Sequence, residues 1–279
     1  MSMSVLIISR LTIREAQRRR LLLVALIMGV LFLTVFGVGF HYIRRDMLLF
    51  PPGEQQENLI YGVLLTAGLY ATNLLVTIVA VLISVTTISG EVESHIIDAI
   101  VTKPIRRWEV VLGKWLAFAL MVLVYLLLLT SGLMLIVYWQ SGFRFENIAS
   151  GLLMMALGAV LVLSLSIAGG TRLSTLANGV VSFMLFAVAF LGGFVEQIGG
   201  FIRNEAAVNI GIVTSLILPA DALWKKALSA FQPASFSSPI MAGPFATTTE
   251  PSTLMVVYSV GYLVALVLFA MWSFTRRDL

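Results

Sequence analysis

Between two strongly apolar runs, polar residues recur at helical spacing: Glu91, Ser94, His95, Asp98 and Thr102. In a helix they fall on one face, with Val92, Ile96, Ile100 and Val101 on or near the other. These residue types admit three chemistries. Glu91 and Glu93 are an acid/base pair if the chain is an enzyme, yet at i and i+2 on a helix they point apart, which argues against a shared catalytic centre. His95 is a potential metal ligand, although a lone histidine is more often interfacial than a ligand. The third chemistry is docking, in which a polar helix face is offered to another protein. Solvated charges that suit the helix dipole explain the two glutamates about as well, and periodicity leaves the choice open. Pro104 ends the helical pattern. Lys103 precedes it, and Arg106, Arg107, Trp108 and Glu109 follow, leading into the next apolar run.

Composition decides what surrounds this stretch. Charged residues make up 11% of the 279 and apolar ones 59%, with a mean hydropathy of +0.99. A soluble domain carries about 25% charged residues, so these few charges cannot cover a water-facing surface and the chain belongs in a bilayer. With no cysteine, disulfides and thiolate metal sites are excluded. The net charge of +4 reflects arginines beside apolar runs, which membrane topology explains better than nucleic acid does. No phosphate-binding GxxxxGK[ST] loop is present; Gly113-Lys114 lacks the upstream glycine and the Ser/Thr. Whatever energy drives the protein must therefore come from elsewhere. The methionines, Met154-Met155 included, lack the His or Cys that a copper path needs.

Six runs are long enough for the roughly 20 apolar residues that cross a hydrocarbon core: 21–40, 59–88, 110–139, 151–169, 176–198 and 253–274. Ahead of them, residues 1–20 form a basic lead-in. As a helix it lines Arg10, Arg14 and Arg18 on one stripe and Val5, Ile8, Thr12 and Ala16 roughly opposite, as expected of an interfacial helix whose arginine stems reach anionic headgroups. A signal peptide is the competing reading, but 21–40 is too long for its apolar region and no A-x-A-like cleavage site follows. Lys114, near the start of the third span, is expected to snorkel to the interface.

With both termini placed inside, twelve of the 18 Lys and Arg fall on the inner side, which matches the inside-positive bias. Residues 206–218 complicate the count. Thirteen residues at 1.5 Å each reach about 20 Å, short of the roughly 30 Å core, so a re-entrant or interfacial segment is expected there. In the outer loop 199–252, Asp221 is placed to cap a helix after Pro219, with Leu223, Trp224, Ala227, Leu228 and Phe231 on its apolar face and Lys225, Lys226 and Ser229 around the other. Residues 232–250, rich in Pro, Ser, Thr and Gly, and the first outer loop 41–58 around Pro51-Pro52-Gly53 read as irregular. No internal repeat and no second soluble domain is visible.

Within the spans no ionisable residue sits at mid-depth; Arg172 falls in a short inner loop and Glu196 near the outer end of the fifth span. Carriers and pumps place acids or histidines inside the bilayer, so this distribution argues mildly against one. His41 and His95 lie on opposite sides and cannot share a metal. Asn73 and Asn178 are expected to hydrogen-bond between helices. An intramembrane enzyme needs a nucleophile with its base, or a pattern such as HExxH, and neither is found.

The stretch 89–114 resembles the signature region of ABC-2-type ABC transporter permeases. There an acidic element follows the second span, then a short helix, then a proline with basic residues and an apolar run near Gly-Lys. Here these are Glu91 and Glu93, the helix to Thr102, Lys103-Pro104, Arg106-Arg107-Trp108-Glu109, and Gly113-Lys114. The family's usual Gly-Thr pair is replaced by Ser94-His95. The resemblance implies an all-α polytopic membrane protein, one permease domain over 1–279 with six transmembrane helices in a type V exporter-like fold and both termini cytoplasmic. It implies a coupling region over 89–109, with Glu91, Glu93, His95, Asp98, Lys103, Arg106, Arg107, Trp108 and Glu109 as its contacts. It also implies partners: an ABC ATPase subunit that carries the ATP and Mg, a second permease copy in a homodimer, and membrane lipid, with no nucleic acid. The expected setting is a prokaryotic cell membrane, the expected direction export, and this chain itself is expected to have no catalytic residues, cofactor or metal.

Overall fold

An apolar chain in lipid must satisfy its backbone polar groups internally, and a helix does so within one segment. The computed structural model describes residues 3–18, 20–49, 51–93, 106–143, 147–231 and 251–276. Along them run α1 (Met3–Arg18), α2 (Arg20–Leu49), α3 (Glu54–Glu93), α4 (Arg107–Ser141), α5 (Ile148–Gly170), α6 (Thr175–Ile202), α7 (Glu205–Ile217), α8 (Ala220–Phe231) and α9 (Thr253–Thr275). Six of these, α2 to α6 and α9, are long and apolar enough to cross a membrane. They coincide with the six runs seen in the sequence.

The ends differ from expectation in two places. Among the described residues, irregular structure in the first outer connection is confined to the Pro51–Gly53 break, because α2 continues through Arg44 and Arg45 to Leu49 and α3 starts at Glu54. The Gly53 carbonyl already accepts from the amides of Gln56 and Glu57 at 2.9 and 3.0 Å, which starts the new helix at once. At its other end α3 runs past the apolar stretch to Glu93 without a break. Glu91 and Glu93 therefore ride on the last turn of a long spanning helix, where a separate short helix was expected to begin.

The spans pack through glycines. A Cβ on Gly29 would lie 2.9 Å from Leu129 Cδ2, and one on Gly132 would lie 2.7 Å from Leu33 Cδ1, so α2 and α4 touch backbone to side chain near the middle of both helices. Gly68 likewise admits Leu133 and Phe36. The middle of the bundle is α3, with 56% of its span buried, whereas α2 and α9 bury only 11% of theirs. Two interhelical hydrogen bonds join α5 to its neighbours: Trp115 Nε1 donates to Ser164 Oγ at 2.7 Å, and Asn178 Nδ2 donates to the Ser166 carbonyl at 2.8 Å. The second fulfils the role expected of Asn178.

Helices α7 and α8 form a hairpin bent by 108°. Gly199 of α6 lies against Ala207 and Gly192 against Thr214, so α7 runs antiparallel to α6. Gly151 of α5 lies beneath the Phe231 ring, while Gly158 lies 3.7 Å from Leu223 Cβ, so α8 runs antiparallel to α5. A broken span would keep its heading across the break, but this turn sends the chain back to the end it came from. That is the geometry of a re-entrant hairpin, as its length suggested. Ten residues separate Ile148 from Gly158, so the apex reaches about 15 Å along α5, near half the depth of a bilayer core.

Candidate functional site

The end of the bundle where α4 begins holds α1. Its buried side chains are Val5, Thr12 and Ala16, with Ile8 half-buried, and Arg10 and Arg14 stay exposed. This is the stripe that helical spacing picked out. The contact is close because α4 offers a glycine: a Cβ on Gly113 would lie 2.8 Å from Ile8 Cγ2 and 3.0 Å from the Val5 carbonyl oxygen. Lys114, the next residue, is 5% exposed. It is enclosed within the protein here, not spread along lipid as the snorkelling expectation had it.

Of the residues expected to meet an ATPase, the described ones divide sharply. Arg106 is exposed in extended backbone just before α4, and Arg107 and Trp108 are half-exposed on its first turn. Glu109 is different: it is 7% exposed, and its carboxylate accepts from the Arg106 backbone N–H at 3.3 Å. The Glu109 amide donates to the Arg106 carbonyl at 2.9 Å. This side chain closes the start of its own helix and satisfies a donor that would otherwise be orphaned. Glu91 and Glu93 belong by backbone to the end of α3. His95, Asp98 and Lys103 lie outside the described residues.

The same end is tied together across the chain. The Thr171 hydroxyl donates to Ser273 Oγ at 3.0 Å and Arg172 Nε donates to it at 2.7 Å. One turn on, the Arg276 guanidinium lies 4.7 Å over the Trp272 ring. The start of α4, the α5–α6 turn and the end of α9 therefore share one rim, which also carries α1. The start of α4 is therefore a capped helix end clamped by α1.

At the far side, under the re-entrant hairpin, a second group of charges was not foreseen. Lys225 Nζ lies 2.7 Å from Glu196 Oε2 and 2.9 Å from Asp221 Oδ2, and all three residues are at most 8% exposed. Two corrections follow. Lys225 faces into the protein, not the aqueous side of an interfacial helix, and the Asp221 carboxylate turns to Lys225 from inside the first turn of α8, not to the helix backbone as a cap. The small residues explain the burial: Gly193 lies against the Asp221 carboxylate and Gly211 against the Glu196 side chain. Trp224 stacks edge-on against Tyr70 at 4.6 Å, closing the cluster toward α3. Beside it lies a cavity of about 290 Å³ bordered by Glu196, Ser215, Lys225 and Ser252. Opposite charges at this distance in a low-dielectric surrounding fix the hairpin to α6. Helical spacing within α8 alone does not reveal the cluster, because Glu196 comes from another helix. Among the described residues no group of three or more His, Cys, Asp or Glu is placed to hold a metal.

Compared with known proteins, residues 6–279 match the model of the ABC-2 family transporter proteins. No curated protein matches the chain. The chain belongs to the ABC-2 transporter family, a multi-pass membrane protein by its spans, and that membership implies association with an ABC ATPase subunit in general.

Proposed function

From membership of the ABC-2 transporter family, we propose that this chain is the permease subunit of an ABC exporter, working as a homodimer with two separate ATPase subunits. ATP and Mg bind in those partners, and this chain contributes no catalytic group. The termini and the α1 rim face the cytoplasm of a prokaryotic cell, and the cargo leaves through the cell membrane. The observation that carries this reading is the build of the rim. Arg106 is exposed and Arg107 and Trp108 are half-exposed, while the helix end behind them is closed by Glu109 and braced by α1 at Gly113. Segment 89–109, with Glu91, Glu93, His95, Asp98 and Lys103, takes the push of the closing ATPase dimer and delivers it to α3 and α4.

The test is charge reversal at Arg106 and Arg107. The complex with its ATPase, reconstituted in vesicles, should lose permease-dependent stimulation of ATP hydrolysis and transport in R106E/R107E, with membrane insertion nearly unchanged. A variant that binds its ATPase and transports normally would overturn the assignment.

A secondary carrier is the second reading. The buried Glu196–Lys225–Asp221 cluster favours it, since carriers place titratable groups at membrane depth. Substrate movement driven by a pH gradient across vesicles that hold this chain alone would support the carrier and count against the ATP-driven permease.

A further inference from the structure

Helix α1 does more than brace α4. Between it and the neighbouring halves of α2, α3 and α4 lies a cavity of about 480 Å³, the size class of ligand pockets. Ile13 and Gln17 of α1, Leu26 of α2, Ile83 of α3, and Met121 and Val124 of α4 line it. Its origin is geometric. Outward from Gly29, glycines let α2 and α4 close up on each other. Toward α1, α2 carries Leu22, Leu26 and other full side chains in place of glycine, the two helices stand apart, and α1 covers the gap. The Tyr125 hydroxyl on this wall donates to the Ala25 carbonyl at 3.0 Å, so its polar tip is turned to the α2 backbone.

Among the described residues the cavity wall carries no charged side chain, yet α1, which forms part of that wall, carries two arginines close by in sequence. Arg10 and Arg14 are exposed on α1, and each lies three residues before a lining residue, Ile13 and Gln17, hence on the adjoining stripe of the helix. An apolar slot with two guanidinium groups at its edge complements an anionic amphiphile. The apolar part enters between the helices, and the phosphate stays at headgroup level, where arginine forms charge-assisted hydrogen bonds. We propose that this cavity holds an acyl chain of an anionic glycerophospholipid, with its phosphate bound by Arg10 and Arg14. The lipid then bridges α1 to the three spans behind it. This site is independent of the ATPase reading and stands or falls without it.

The test uses the full-length chain, stripped of lipid in detergent, incubated with phosphatidylcholine with and without a minority of phosphatidylglycerol, and weighed by native mass spectrometry. The wild type should retain phosphatidylglycerol in preference to phosphatidylcholine. Val124→Trp fills the cavity from its open side, where Val124 is 55% exposed, and retention should fall about tenfold or more. R10Q/R14Q leaves the cavity and folding surface intact, and the preference for phosphatidylglycerol should disappear. Leu153→Trp, on an exposed part of α5, should retain lipid as the wild type does. Equal retention of the two lipids by the wild type, no retention at all, undiminished retention in Val124→Trp, or undiminished preference in R10Q/R14Q would overturn the proposal.

Discussion

The two charged regions of this protein use the same residue types in opposite ways. At the α1 rim, Arg10, Arg14 and Arg106 are exposed and free to meet other molecules. Under the hairpin, Glu196, Asp221 and Lys225 are enclosed and meet one another at 2.7 and 2.9 Å. A partner can address the first set, whereas the second holds the fold. The lesson concerns neighbouring lysines: Lys225 is 5% exposed and Lys226 is half-buried at the next position, so adjacency in sequence says nothing about shared duty.

The largest effect expected from this comparison is at Lys225. Lys225→Met leaves two carboxylates buried together without their cation, and breaking a buried pair costs about 3–5 kcal/mol. Lys226→Met, one residue along, should cost about 1 kcal/mol or less. Thermal unfolding of the two variants in detergent measures both. Equal losses would erase the distinction between an internal and a peripheral charge at this hairpin. Glu196→Gln/Asp221→Asn/Lys225→Met, which removes every charge of the cluster, should recover part of the loss, because no ion is then left uncompensated.

Much of the architecture is readable from the chain because lipid imposes simple rules. Each span is a long apolar run, and the stripe Val5, Ile8, Thr12, Ala16 follows from helical spacing alone, since α1 packs chiefly on α4. The hairpin is foreshadowed by its length, as thirteen residues cannot cross. The ion cluster escapes detection for a physical reason. Lys225 and Glu196 stand 29 residues apart, on helices whose pairing depends on Gly193 and Gly211 allowing close approach. A helical wheel for α8 sees a lysine and assigns it to water. Glu109 escapes for another reason. Its capping role lacks the usual Ser, Thr, Asp or Asn partner, because Arg106 offers its backbone alone. Glu109 therefore reads as one more charge in a basic loop.

Gly113→Val should produce the next largest effect. The added carbons meet Ile8 and the Val5 carbonyl oxygen, and overpacking of this kind costs about 1–3 kcal/mol. The chain has no cysteine, so a single Thr12→Cys reports on the contact. Thr12 is 6% exposed, and its replacement should react slowly with a thiol reagent in the wild-type background and faster with Val at 113. Unchanged labelling would mean that α1 is held by something other than this contact. Glu109→Ala should follow, with a loss of about 0.5–2 kcal/mol as a cap is removed. Unlike R106E/R107E, it should leave ATPase stimulation largely in place once the protein is folded. Loss of stimulation at full stability would move Glu109 from the scaffold to the docking face.

The smallest effect sets the scale for the others. Trp115 and Ser164 form a neutral hydrogen bond between α4 and α5 at 2.7 Å, and Ser164 in turn donates to the Val160 carbonyl of its own helix at 2.7 Å. In lipid such interhelical bonds average about 0.6 kcal/mol, because the separated helices also find partners. A double-mutant cycle over Trp115→Phe and Ser164→Ala removes ring-size and packing effects and isolates the bond. The coupling energy should lie near that average, several times below the cost of Lys225→Met. Ser164 is as buried as Lys225 and Trp115 is partly buried, so the main difference between the pair and the cluster is charge. If the cycle matched the loss at Lys225, depth in the bundle and not charge would govern the cost, and the contrast between rim and hairpin would need another cause.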